Sequence, residues 1–297
     1  MACAAEVIIK DLYRKGELML FDSHTHLNNE GYTPQERQAL IEEIAASDVS
    51  YVMDVGFDLA SSKMAAEHAE ANEWCYAAVG VHPHDAKSMD DMVLTLICGL
   101  AKKDKVQAIG EIGLDFHYDF SDREDQRYWF RRQIQLANEL KMPIVIHSRE
   151  AEQETMNILK EEGAFSAERA SWFPKRKGSN GEELPDCRVL LHCFSGSKEL
   201  AKQYVKLGAT LSVCGPVTFK NNRKTQEVVR EIPIEFLLVE TDAPYLTPEP
   251  FRGRKNKSPY VEHTARRVAV LKGISYEEAA RITCENAKRF FDIDGNR

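Results

Sequence analysis

Eight short apolar runs, each separated from the next by a longer stretch of helical period, narrow the folds open to this chain. The runs cover residues 19–24, 51–55, 75–81, 106–111, 144–147, 189–192, 209–213 and 236–241 and read as strands. Helical periods fall at 34–47, 61–72, 89–103, 123–140, 150–162, 198–207 and 221–232, and two more at 260–272 and 276–291 close the chain. Strands joined through helices pair in parallel, because a parallel neighbour is reached only by a crossover. The runs are nearly continuous in Val, Ile and Leu, as expected of strands buried on both faces. An open doubly wound sheet and a closed barrel both accept such a chain, but the former's Gly-rich phosphate loop is missing after the first run. The prediction is therefore an α/β chain in one domain, a (β/α)8 TIM barrel, for which 297 residues is an ordinary length.

Groups that bind metals recur at the C-terminal ends of these runs. The first ends in Asp22-Ser23-His24-Thr25-His26, and alternation along an extended chain predicts that Asp22, His24 and His26 project together. His82 follows the third run, Glu111 ends the fourth, His147 the fifth and His192 the sixth, and Asp242 follows the eighth. In a barrel these ends converge on one mouth. Imidazoles and carboxylates without thiolates suit Zn2+, Mn2+ or Mg2+. The set exceeds what one tetrahedral ion needs, so two divalent ions are expected. Glu111 would bridge them, with His24, His26 and Asp242 completing one shell and His147 and His192 the other. Such a pair activates water for attack on a phosphoryl or acyl group. His68, His84, His117 and His263 read as surface or supporting groups.

Around this set, Glu240 lies two residues before Asp242 on the same face, where it orients a ligand or water or forms a buried ion pair. Arg149, two beyond His147, is expected to fork onto a phosphate. His82 is expected to contact a scissile phosphate or leaving group, or to serve structurally before Pro83. Two basic clusters, Lys220, Arg223 and Lys224, then Arg252, Arg254, Lys255 and Lys257, follow strands seven and eight and are expected to ring the mouth. Tyr245 and Phe251 lie nearby, able to stack a base or to anchor their loop.

The net charge of −8 argues against a protein that coats nucleic acid, while leaving room for a local basic rim. Seven scattered cysteines without a C-x-x-C pair predict reduced thiols and a cytoplasmic address. The first 16 residues lack the apolar core of a signal peptide, and no run reaches the roughly 20 apolar residues of a membrane span. Residues 1–18 read as an N-terminal extension containing a short helix, ahead of a domain at 19–297. The interval from His147 to His192 is longer than that from His82 to Glu111. Its excess, at 164–187, carries Pro174, Lys175-Arg176-Lys177 and Gly178-Ser179-Asn180-Gly181. It reads as a surface insertion opposite the mouth, either tolerated or used to dock a partner.

The stretches FDSHTHL, GVHPH, AIGEIGLDF, PIVIHSREA, LLHCFSG and VETDAPYLTP occur in that order. Through them the chain resembles the TatD family of metal-dependent deoxyribonucleases, barrel hydrolases of the amidohydrolase-like class, from residue 19 to about residue 291. The resemblance implies divalent-metal-dependent hydrolysis of phosphodiester bonds, trimming DNA from a 3′ end, with single-stranded DNA or 3′ ends as the substrate. It also implies His24, His26, Glu111, His147, His192 and Asp242 as ligands and Asp242 as proton acceptor for the attacking water. Two other readings use the same residues. One is an ester or amide hydrolase, such as a D-aminoacyl-tRNA deacylase; the other is a non-catalytic, metal-stabilised scaffold.

Overall fold

In the computed structural model, residues 19–293 are described; the expected extension at 1–18 lies outside them. The chain runs β1 (Leu20–Thr25), α1 (Pro34–Ala45), β2 (Val49–Val55), α2 (Leu59–Ala71), β3 (Cys75–Val79), α3 (Asp91–Ala101), β4 (Val106–Asp115), α4 (Arg123–Glu139), β5 (Ile144–Arg149) and α5 (Glu152–Glu161). It continues with α6 (Ala167–Ser171), a two-stranded hairpin of β6 (Arg176–Lys177) and β7 (Glu183–Leu184), β8 (Val189–Leu191), α7 (Lys198–Lys206), β9 (Thr210–Val213), α8 (Arg223–Glu231), β10 (Leu237–Val239), α9 (Val261–Lys272) and α10 (Tyr276–Phe291). Local chemistry sets several starts. Thr33 and Glu36 form a reciprocal capping box ahead of α1 with Pro34 at its first turn, and Ser275 caps α10.

Eight strands form one sheet in the order β1-β2-β3-β4-β5-β8-β9-β10, and every neighbouring pair is parallel. The ends of the sheet meet just past β1 and β10. Thr25 and Ala243 form a parallel bridge, the His26 amide donates to the Ala243 carbonyl at 2.8 Å, and the Asp242 amide donates to the His24 carbonyl at 2.9 Å. This is the single-domain (β/α)8 barrel expected from the alternation of runs.

Two apolar clusters hold it. One joins Phe21, Met53, Ala78, Ala108, Val145, Leu190 and Leu238 from the strands to Phe290 and Phe291 of α10, with Phe21 stacked on Phe291 at 5.8 Å. The barrel is thus filled by side chains, as such barrels generally are. The larger cluster lies between the sheet and the surrounding helices.

Three expectations change. The third strand stops at Val79, short of 81, and His82 instead caps a 3-10 turn, Pro83–Ser88, by accepting the His84 amide at 3.2 Å. The 164–187 segment does lie at the N-terminal ends of the strands, but part of it is buried. The Arg169 guanidinium donates to the carbonyls of Cys187 and Met142 and to Asn138 Oδ1, and Arg176 stacks on Phe236 at 4.0 Å and donates to Thr210 Oγ1. The basic triplet is therefore split: Lys175 pairs with Glu183 at the surface, while Arg176 goes inside. Finally, the thiols are not all reduced, because Cys193 and Cys214 form a disulfide with Cα atoms 5.4 Å apart. They lie 21 residues apart in sequence but just beyond the neighbouring strands β8 and β9, a proximity that spacing alone does not reveal. Among the described residues, no helix is long and apolar enough to cross a membrane.

Candidate metal centre

The strand ends deliver their polar groups to one mouth. Glu111 sits in β4 where its pairing with β5 shifts register between Ile109 and Ile112, and it is buried at 3% exposure. Its two oxygens face different partners. Oε2 lies 3.4 Å from His24 Nε2 and 3.9 Å from His26 Nε2. Oε1 lies 2.7 Å from His192 Nε2, 2.9 Å from His147 Nδ1 and 3.5 Å from His82 Nε2. Asp242 Oδ1 approaches His26 Nε2 at 3.3 Å and His24 Nε2 at 3.8 Å, and the two Nε2 atoms are 3.3 Å apart. All six expected ligands therefore meet. His82, placed outside that set by sequence reasoning, joins Glu111 and His147 in one of the groups able to hold an ion.

These distances fit cations. Ligands about 2.0–2.2 Å from a shared tetrahedral ion lie roughly 3.4 Å from one another, which is the spacing around His24, His26, Asp242 and Glu111 Oε2. Ring chemistry points the same way. His26 Nδ1 lies 2.7 Å from the Val55 carbonyl, which can only accept, so Nδ1 carries the proton and a neutral ring turns the Nε2 lone pair toward the cluster. His147 Nε2 donates likewise to Asp115 Oδ2 at 3.0 Å, turning the Nδ1 lone pair toward Glu111. Each lone pair then faces a carboxylate oxygen, an arrangement that needs a cation between them, either a proton or a metal ion. Without the metal, protons take that role. Burial opposes charging His26, but the Asp242 carboxylate prevails and raises its pKa to about 8. Burial likewise opposes ionisation of Glu111, yet His192 and His82 hold its carboxyl well below the usual range. His82, buried and facing His147, is pushed well below the ordinary imidazole value.

Other residues hold this set in place. Glu240, fully buried, accepts the Cys193 amide and the Ser212 hydroxyl at 2.6 Å each, with His192 Nδ1 3.5 Å away. Gly113 stands opposite His147 in the β4–β5 register at φ +149°, and a Cβ there would overlap the His147 carbonyl oxygen. Asp22, expected beside the imidazoles, is not among them. Its carboxylate accepts the Thr241 amide at 2.8 Å and hydroxyl at 2.6 Å, because β1 shifts register between Asp22 and Thr25.

Two groups escaped sequence reasoning. Asp115 ends β4 four residues after Glu111, an even spacing as between Glu240 and Asp242, and its Oδ2 holds both His147 and His84 Nε2, the latter at 2.9 Å. Tyr118 and Phe120, just past β4, are exposed at 47% and 55%. Arg149 is exposed with its guanidinium 4.7 Å above the Tyr118 ring. Of the two basic clusters, Lys220, Arg223, Lys224, Arg252, Arg254 and Lys255 are exposed, whereas Lys257 is paired with Glu43. Tyr245 is 54% exposed beside His26, and Phe251 stacks on Tyr260 at 4.3 Å as a loop anchor.

The comparisons agree with this picture. The sequence model of the family described as TatD related DNase matches residues 21–292. The chain is 45% identical to the uncharacterized metal-dependent hydrolase YabD of Bacillus subtilis, over 93% of this chain and 100% of that relative. It is 31% identical to the 3′-5′ ssDNA/RNA exonuclease TatD of Erwinia tasmaniensis, over 92% of this chain and all of that protein. The crystal structure of YjjV, a TatD homologue from Escherichia coli, superposes with a TM-score of 0.78 at 26% identity, covering 92% of this chain and 98% of the other. A chain whose match spans residues 21–292, and with them all six residues expected to bind metal, belongs to the TatD related DNase family of metal-dependent hydrolases.

Proposed function

We propose that this protein is a cytoplasmic, two-metal deoxyribonuclease that removes nucleotides from the 3′ end of single-stranded DNA. The observation that carries the reading is Glu111, whose two carboxylate oxygens each face a separate group of imidazole nitrogens. His24, His26 and Asp242 would hold one ion, His147 and His192 the other, and Glu111 would serve both. Divalent cations in such a site, Mg2+, Mn2+ or Zn2+, polarise a phosphoryl oxygen and make water more acidic.

The chain's own groups do the rest. Asp242 accepts the proton of the attacking water, since its Oδ1 lies at the edge of the His24–His26 pair. His26 keeps its Nε2 available because Val55 fixes its other nitrogen, and Glu240 steadies His192 from behind. His82 and Arg149 meet the phosphate, and the exposed lysines and arginines after β9 and β10 draw a polyanion toward an otherwise acidic molecule. The relative named as an ssDNA/RNA exonuclease supports nucleic acid as the substrate class.

The test is release of nucleotides from 3′-labelled single-stranded DNA. Chelation is expected to abolish release, Mg2+ or Mn2+ to restore it, and Glu111→Gln to lower it at least a hundredfold with the fold intact by circular dichroism. Retained cleavage by that variant would refute the mechanism, and turnover of aminoacyl esters with no action on DNA would select the deacylase reading.

A further inference from the structure

Resting on that reading, we infer that Tyr118 and Phe120 form a stacking shelf for a base of single-stranded DNA next to the scissile phosphate. The two rings lie nearly parallel, with centroids 5.2 Å apart and 15° between planes, and about half of each side chain is open to solvent. Side by side, the two rings make one exposed apolar surface rather than isolated side chains. This loop is tightly held. Asp115 Oδ1 accepts the amides of His117 and Tyr118, each at 3.0 Å, and the Ser121 hydroxyl donates to the His84 carbonyl at 2.7 Å.

The shelf is also joined to the metal centre. Phe120 lies edge-on to His84 at 4.8 Å, His84 to His82 at 4.3 Å, and His82 Nε2 is 3.5 Å from Glu111. The carboxylate that orients His147 is the same one that pins the shelf loop. Two cations stand at the rings, Arg149 over Tyr118 and the Lys87 ammonium against the Phe120 carbonyl at 3.0 Å, while the nearby carboxylates of Asp119 and Glu150 are paired with Arg123 and His117. Exposed rings beside cations are the usual platform for single strands, because every base offers a π face and every phosphate a negative charge. Such a platform tolerates all four bases and requires an unpaired one.

The test compares the full chain with Tyr118→Ala, Phe120→Ala, the double variant and Tyr118→Phe, each loaded with Mn2+. Substrates are oligonucleotides with normal bases or with one abasic site near the 3′ end. Each alanine variant is expected to raise KM about tenfold, with a smaller change in kcat, and Tyr118→Phe to restore KM. An abasic site should cost the parent protein a similar factor and the double variant nothing further. In parallel, 2-aminopurine at the same position should be quenched on binding to Asp242→Asn carrying both rings, and not once both are replaced. KM values indifferent to residues 118 and 120, or equal losses from the abasic site in parent and double variant, would overturn the shelf while leaving the nuclease reading intact. Quenching that depends on the rings without any cleavage by the parent protein would do the reverse. Neither binding nor cleavage would defeat both.

Discussion

Asp115 illustrates how much of this mouth depends on residues outside the expected ligand set that hold its members in place. One oxygen fixes the tautomers of His147 and His84, and the other holds two loop amides. Removing it frees the His147 ring to turn and leaves its Nε2 proton without an acceptor. Asp115→Ala is therefore expected to weaken metal binding about 10- to 100-fold, with Asn intermediate because it keeps an acceptor oxygen; metal titration of the three proteins checks the order. The convergence of the six expected ligands was legible in the sequence because strand ends in a barrel share one rim, so groups at equivalent places meet. Asp115 was missed although its spacing was available, because a carboxylate beyond Glu111 in an apolar run resembles an ordinary strand end. The Asp22 expectation failed for a different reason: alternation holds only in regular strand, and β1 shifts register there.

At the level of elements, the 164–187 segment shows where reading by composition stops. A basic triplet beside Pro and Gly suggests a solvated loop, yet two arginines from this region enter the barrel's underside. Arg169, itself fully buried, donates to three acceptors near β5 and β8. Arg169→Ala is expected to cost about 3 kcal/mol or more, since each stranded acceptor carries its own desolvation penalty. Lys175→Ala, which breaks an exposed pair with Glu183, should cost under about 1 kcal/mol. Urea denaturation followed by circular dichroism separates the two, and metal content should be unchanged in both. The strands and helices were legible from period alone, while this segment's burial depends on partners such as Phe236 and Thr210 that are remote in sequence.

For the molecule as a whole, the titrating cluster links stability to pH and to metal. In metal-free protein, His26 titrates near 8 rather than 6.5. A raised histidine stabilises the fold fully below about 6.5 and loses that contribution as pH climbs through about 8. The displacement corresponds to about 2 kcal/mol. His147 and His192 are raised as well and act in the same direction, whereas His24 and His82, lowered by burial, oppose them near pH 6.5. Glu111 is depressed, so its contribution is lost only in acid, outside this window. Chelator-treated protein is thus expected to unfold at lower urea at pH 8.5 than at pH 6. Protein with saturating Mn2+ should lose less of its stability over the same range, because the cation then replaces the departing protons of the cluster and leaves Asp22, raised by burial to about 7, to titrate.

The closure of the sheet carries one more consequence. His24 and His26 follow the first strand and Asp242 follows the last, so these three donors straddle the place where the ring joins itself through Thr25 and Ala243. An ion seated among them would clasp the first strand to the last, across over two hundred intervening residues. The barrel's integrity and its chemistry would then share one fastening, and demetallation would loosen the hoop at the spot where the reaction would occur.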